Sequence, residues 1–141
     1  MGLYLNPNAD AFMEDKGTRI YVDKSLLIRE LNSIVSTKED FVCLSRPRRF
    51  GKSMAGNMIS AYYSKGCDTR EVFSQMKLGQ EPGFDKYLNK FNVIKLDLNG
   101  WYQNTKKKNT HASLIEQIDK IVAEEFKEQF ANIDLEKDNS I

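Results

Sequence analysis

The sequence predicts an α/β fold, a three-layer unit in which helices cover a parallel β-sheet. Three observations support this prediction. Strand-like apolar runs alternate with segments of helical periodicity, as in parallel sheets with right-handed crossovers. The run 41–44 is apolar throughout, which is typical of a strand buried on both faces. A phosphate-binding motif follows that run directly and precedes a helical segment.

The first predicted strand and helix precede this motif. Residues 1–17 are polar and turn-rich and are expected to form a loop segment. A short β-favouring run at 18–22 is followed by Asp23 and Ser25, either of which can cap a helix. The spacing of apolar residues predicts that this helix runs from about 26 to 35. Its apolar stripe consists of Leu27, Leu31 and Ile34.

The remaining elements complete the alternation. After the strand 41–44 and the motif, helical spacing predicts a helix over 52–63. Its apolar side carries Met54, Met58, Ile59 and Tyr62. A further strand is predicted at 91–98 and a last helix from about 110 to 130. The predicted domain therefore spans 18–131, and 132–141 is a polar tail.

The predicted sheet has few strands for its class. Besides the short run 18–22 it contains two well-defined strands, whereas a doubly wound domain has about five or six. We therefore expect the chain to be the N-terminal part of a larger domain.

Composition excludes several classes of function. Among 141 residues, 40% are hydrophobic, which is typical of a globular protein. The net charge is +1, from 21 basic and 20 acidic residues, so nucleic acid or anionic membrane would have to bind to a local patch. Two cysteines are too few for a disulfide framework. No signal peptide and no apolar run of about 20 residues is visible, so we expect a cytoplasmic protein without a membrane partner.

The motif matches the end of the phosphate-loop pattern G-x-x-x-x-G-K-[ST]. Gly51 lets the backbone turn sharply and approach a phosphate without a Cβ. Lys52 offers an ammonium to the β- and γ-phosphates, and the Ser53 hydroxyl is a ligand for Mg²⁺. The helix that follows presents unpaired N–H groups and a positive dipole end to the same anion.

Arginine stands where the pattern has its first glycine. Arg46 takes that place, and Pro47 restricts its backbone. The cluster Arg46, Arg48 and Arg49 has three interpretations: contacts to phosphates or acidic groups, a nucleic-acid patch, or solvated side chains. We assign nucleotide binding to Arg46, Pro47, Arg48, Arg49, Phe50, Gly51, Lys52, Ser53 and Met54.

Three segments together resemble a known family. They are Y-V-D-K-S at 21–25, L-S-R-P-R-R-F-G-K-S-M at 44–54 and V-I-K-L-D at 93–97. They are similar to the predicted AAA-ATPase-like proteins of gut and anaerobic bacteria, whose chains often end in a restriction-endonuclease-like nuclease domain. The resemblance spans about residues 10–100. In that family the arginine at position 46 is a regular feature of the loop.

The resemblance implies a P-loop NTPase-like domain that uses ATP and Mg²⁺. Such ATPases hold Mg²⁺ and the attacking water with paired acids at the end of an apolar strand. Asp97 is the candidate within this chain, but Leu98 follows it and Lys95 interrupts the apolar run. We expect the paired acids to lie beyond Ile141. Hydrolysis would then require that downstream sequence, and no catalytic residue is assigned.

Two other functions fit parts of the sequence. One is a nucleic-acid-binding module that uses the arginine-rich loop. The other is a protein-interaction module, in which an open sheet edge pairs with another copy or with the missing C-terminal part of the chain.

Overall fold

The structure is a computed structural model that describes residues 4–39, 41–45, 47, 49–98 and 112–130. Helices dominate this described part. They are α1 (Asp10–Lys16), α2 (Leu26–Ile34), α3 (Lys52–Tyr63), α4 (Arg70–Ser74), a 3-10 helix (Lys77–Gln80) and α5 (Ala112–Gln129).

The three predicted helices are confirmed as α2, α3 and α5. Their apolar spacing was sufficient because helical hydrogen bonds join residues four positions apart in the same segment. The sequence missed α1, which lies inside the predicted loop segment 1–17, and α4. Helix α1 has seven residues and buries one of them, Phe12, so it offers no periodicity to detect.

The hydrophobic core lies where α3 meets the shorter helices. Tyr62 of α3 is fully buried and forms a T-shaped pair with Phe73 of α4, and Phe12 of α1 stacks on Phe73. The buried core residues are Phe12, Ile28, Met58, Ala61, Tyr62, Phe73, Met76, Leu78 and Leu88. This core fixes α3, and therefore the direction in which its first turn points.

Helix α2 is rotated relative to the prediction. Its fully buried residue is Ile28, whereas Leu27 and Leu31 of the predicted stripe are half-buried. The predicted stripe instead lines an apolar groove of about 370 Å³ between α2 and α3. The sequence identified apolar residues correctly, but it could not show which of them face the core.

The predicted parallel sheet is wrong for the part of the chain that the structure describes. None of the predicted strands 18–22, 41–44 and 91–98 forms a β-strand there. The three-layer α/β unit predicted from them is therefore replaced by a helical arrangement.

Residues 91–95 come closest to a strand. Ile94 forms a single antiparallel bridge with Leu5, and Phe91 forms a single parallel bridge with Ser64. One bridge on each side does not extend into a ladder. The segment thus ties the start of the chain to the end of α3 without building a sheet.

Residues 41–44 show why an apolar run did not suffice to predict a buried strand. The Phe41 side chain is 97% exposed and Val42 is 54% exposed. Among the described residues, no backbone hydrogen bond joins 41–45 to another segment. A strand needs a second strand for its N–H and C=O groups, and an apolar run does not specify that partner. The described residues contain no sheet edge at which another copy could pair, and a protein-interaction role stays a prediction.

Membrane insertion has no candidate in the described ranges. No helix there combines the length and the apolar character that a transmembrane span requires.

Candidate functional site

Helix α3 begins at the end of the predicted phosphate loop. Gly51 is its N-cap and has a left-handed backbone, with φ at 72° and ψ at 34°. Glycine adopts this conformation without the steric cost that a Cβ adds. The Ala55 N–H donates to the Gly51 carbonyl oxygen at 2.9 Å and closes the first turn. The local turn that the sequence expected at Gly51 is therefore present.

Most described residues of the loop are accessible from solvent. The exposed ones are Pro47, Arg49, Phe50, Lys52 and Ser53. Gly51 and Met54 are partly buried. Arg46 and Arg48 lie outside the described residues, so Arg49 alone represents the arginine cluster here. Its backbone is also left-handed, with φ at 68°. A ligand could reach the loop from solvent without a rearrangement of the core.

The first turn of α3 is electrostatically suited to an anion. Within the described part of the chain, no side chain caps the helix at Gly51. The first N–H groups of a helix have no intrahelical acceptor, and they form the positive end of the helix dipole. Lys52, the first residue of α3, adds a full positive charge at the same end.

Lys24 is a second cation at this loop, and no sequence motif predicted a role for it. Its Nζ donates a hydrogen bond of 2.8 Å to the carbonyl oxygen of Phe50. A Cβ added to Gly51 would lie 2.9 Å from the same Nζ. The available signal was the position of Lys24 in the segment 21–25, but no local pattern links it to a loop 26 residues away.

The residues on either side of Lys24 attach it to the 3-10 helix. The Asp23 carboxylate accepts hydrogen bonds from the N–H groups of Ser25 and Lys77, both at 2.8 Å. The Ser25 hydroxyl oxygen accepts the Leu78 N–H at 3.0 Å. Neither side chain caps α2, so the predicted capping role is wrong. Both side chains instead join segment 21–25 to a distant element.

The hydrogen bonds that Asp23 accepts stabilise its ionised form. Burial raises the pKa of the Asp23 carboxyl, but hydrogen bonds from the Lys77 backbone and from Ser25 outweigh burial. Its pKa therefore lies below the ordinary value. Asp23 is thus held as a carboxylate, the form that accepts both N–H groups.

Two clefts flank the Phe50–Gly51 peptide. The first has a volume of about 330 Å³ and contains both lysines, together with a partly apolar wall. It is lined by Lys24, Leu27, Leu44, Phe50, Gly51, Lys52 and Ala55. The second, of about 370 Å³, lies between segment 20–22 and the Met54 side of α3. We call the first the two-lysine cleft, since Lys24 and Lys52 both line it.

The two predicted ligands of the metal ion lie among the described residues. Ser53 is exposed in the first turn of α3, and Asp97 is exposed after the extended segment 91–95. Among the described residues, no three His, Cys, Asp or Glu side chains form a group that could hold a metal ion. Binding of Mg²⁺ by Ser53 and Asp97 remains a prediction.

Comparison with known proteins adds one finding. A family model described as "Predicted AAA-ATPase" matches residues 11–140, which include segment 21–25 and the whole loop 46–53. Searches of curated proteins and of solved structures gave no match.

Proposed function

The chain belongs to the predicted AAA-ATPase family, and from this membership we propose that it binds ATP through the loop 46–53. Family membership associates the chain with nucleotide binding in general. The observation that carries the more specific proposal is the left-handed Gly51 directly before an exposed, uncapped helix end that begins with Lys52. This arrangement places uncapped N–H groups and a lysine at the same end of α3.

The triphosphate is the part of ATP that the loop would bind. Its negative charges are favoured by the dipole end of α3 and by the positive charges of the two lysines that line the two-lysine cleft. Lys52 contributes a compact charge on a flexible side chain, which suits contact with phosphate oxygens. Arg49 lies at the edge of the second cleft and supplies a further cation nearby.

Magnesium would accompany the nucleotide. Mg²⁺ prefers oxygen ligands and is usually bound by one or two protein side chains together with substrate phosphates. The exposed Ser53 hydroxyl is adjacent to Lys52 and fits this requirement. Asp97 is the second candidate ligand. The proposal concerns binding, because hydrolysis also needs a carboxylate that positions water and no described residue is assigned to that task.

Lys52→Ala is expected to weaken binding of Mg·ATP by about 10- to 100-fold. A hydrogen bond to a charged group contributes about 1.5–3 kcal/mol, and about 1.4 kcal/mol corresponds to tenfold in affinity. Isothermal titration calorimetry of both proteins with Mg·ATP measures the difference. Lys65→Ala is the matched control, because Lys65 is also exposed and follows the opposite end of α3.

Equal affinity of the wild type and Lys52→Ala would contradict the proposal. The nucleic-acid alternative is tested with a short DNA duplex at two salt concentrations. Affinity that falls steeply with salt, without measurable ATP binding, would favour that alternative.

Gly51→Ala is expected to reduce both stability and ATP affinity. A left-handed backbone costs a residue with a Cβ about 1–2 kcal/mol. Gly83→Ala is the matched control, since Gly83 has φ at 68° and a Cβ there meets no atom within 4 Å. We expect similar losses of unfolding free energy in urea for both variants, with weaker ATP binding for Gly51→Ala alone. If the two variants bind ATP equally well, the turn at Gly51 is not part of the site.

A further inference from the structure

We propose that Lys24 is a positioning residue of the nucleotide site, although it lies outside the phosphate loop. Its ammonium holds the Phe50–Gly51 peptide by a hydrogen bond. It also offsets the partial negative charge of the Phe50 carbonyl oxygen, which lies beside the proposed triphosphate site. This inference rests on the proposed function.

The contact between Lys24 and the loop is direct. Its Nζ lies 2.8 Å from the Phe50 carbonyl oxygen, which is a normal distance for a charge-assisted hydrogen bond. Lys24 lines both clefts beside the loop. Lys24 and Lys52 both line the two-lysine cleft.

The backbone that carries Lys24 is anchored from the opposite side. Ser25 is fully buried and its hydroxyl oxygen accepts the Leu78 N–H at 3.0 Å. Asp23 accepts the Lys77 N–H at 2.8 Å. Both neighbours of Lys24 are therefore bonded to the 3-10 helix, while the Lys24 side chain reaches the loop. Since its backbone is already fixed, Lys24 loses less freedom when it holds the loop carbonyl.

The hydrogen bond sets the orientation of one peptide unit. In a trans peptide the C=O and N–H groups point in opposite directions. When Lys24 holds the Phe50 carbonyl on its own side, the Gly51 N–H is directed to the other side. A carbonyl oxygen in a phosphate cleft would repel the ligand, and the ammonium offsets that partial negative charge. Lys24 therefore fixes the orientation of the Phe50–Gly51 peptide, and it acts on the triphosphate through its own charge.

The experiment compares Lys24→Met and Lys24→Arg with the wild type. Affinity for Mg·ATP is measured by calorimetry at low and at high salt, and thermal unfolding is measured for each protein. Lys24→Met removes the charge and the donors from a side chain of similar length, and we expect about tenfold weaker binding at low salt. This deficit should shrink at high salt, because salt screens the lost charge. Lys24→Arg should bind within about threefold of the wild type, with melting temperatures little changed, because it keeps the charge and the donors.

Each outcome separates this inference from the proposed function. If Lys52→Ala binds Mg·ATP as well as the wild type, the proposed function fails. If Lys52→Ala is weakened and Lys24→Met is not, the proposed function stands and the role of Lys24 is overturned. A deficit of Lys24→Met that is equal at both salt concentrations, or an unfolded variant, would also overturn it, since Lys24 would then be a residue of the fold. Lys24→Gln, which keeps a donor without the charge, should behave like Lys24→Met.

Discussion

Phe73→Ala is expected to lower the free energy of unfolding by about 3–5 kcal/mol, the range for truncating a buried phenylalanine. The Phe73 side chain is fully buried at the centre of the core. Its ring stacks on Phe12 with the centroids 5.2 Å apart and forms a T-shaped pair with Tyr62 with the centroids 5.3 Å apart. Three helices, α1, α3 and α4, lose contacts when this ring is removed, so the cavity cannot close by a shift of one element.

The matched control for this prediction is Phe41→Ala. Phe41 is 97% exposed, so the same truncation should change the free energy of unfolding by less than about 0.5 kcal/mol. Urea denaturation of both variants gives the comparison. A loss of several kcal/mol from Phe41→Ala would show that residues 41–44 are buried, as the sequence predicted and the structure contradicts.

Gly79→Ala is expected to cost about 3 kcal/mol, at the upper end for insertion of an atom into a packed site. A Cβ at position 79 would lie 2.2 Å from the Ser74 carbonyl oxygen and 2.7 Å from that of Phe73. Both are backbone atoms at the end of α4, so they cannot move aside as a flexible side chain would. The 3-10 helix that contains Gly79 also carries the N–H groups that bind Asp23 and Ser25, and ATP affinity should fall with stability.

The control for Gly79 is the same substitution inside α3. A Cβ at Gly56 meets no atom within 4 Å, and alanine in a helix interior is favoured over glycine by about 0.5–1 kcal/mol. Gly56→Ala should therefore raise the unfolding midpoint in urea, while Gly79→Ala lowers it. If both variants had the same midpoint, the close approach of the 3-10 helix to α4 would be refuted.

Within the candidate site, the sequence predicted the features that depend on neighbouring residues. Gly51 lies at the turn where α3 begins and Lys52 is the first residue of that helix. These features follow from neighbouring residues and from the backbone freedom of glycine. The contribution of Lys24 could not be found in this way, because its bond to Phe50 spans 26 residues. The roles of Asp23 and Ser25 were misjudged for the same reason, since their acceptor oxygens serve residues 77 and 78.

The same distinction between local and distant contacts applies to the fold. The sequence by itself determined α2, α3 and α5, because each residue of a helix bonds to a residue four positions away. It also placed the glycine and the lysine at the start of α3. Only the tertiary structure decided that residues 41–44 and 91–98 form no sheet and that Ile28, rather than Leu27, enters the core. Strand pairing and the choice of buried face depend on partners that are distant in sequence, and the local apolar pattern does not identify them.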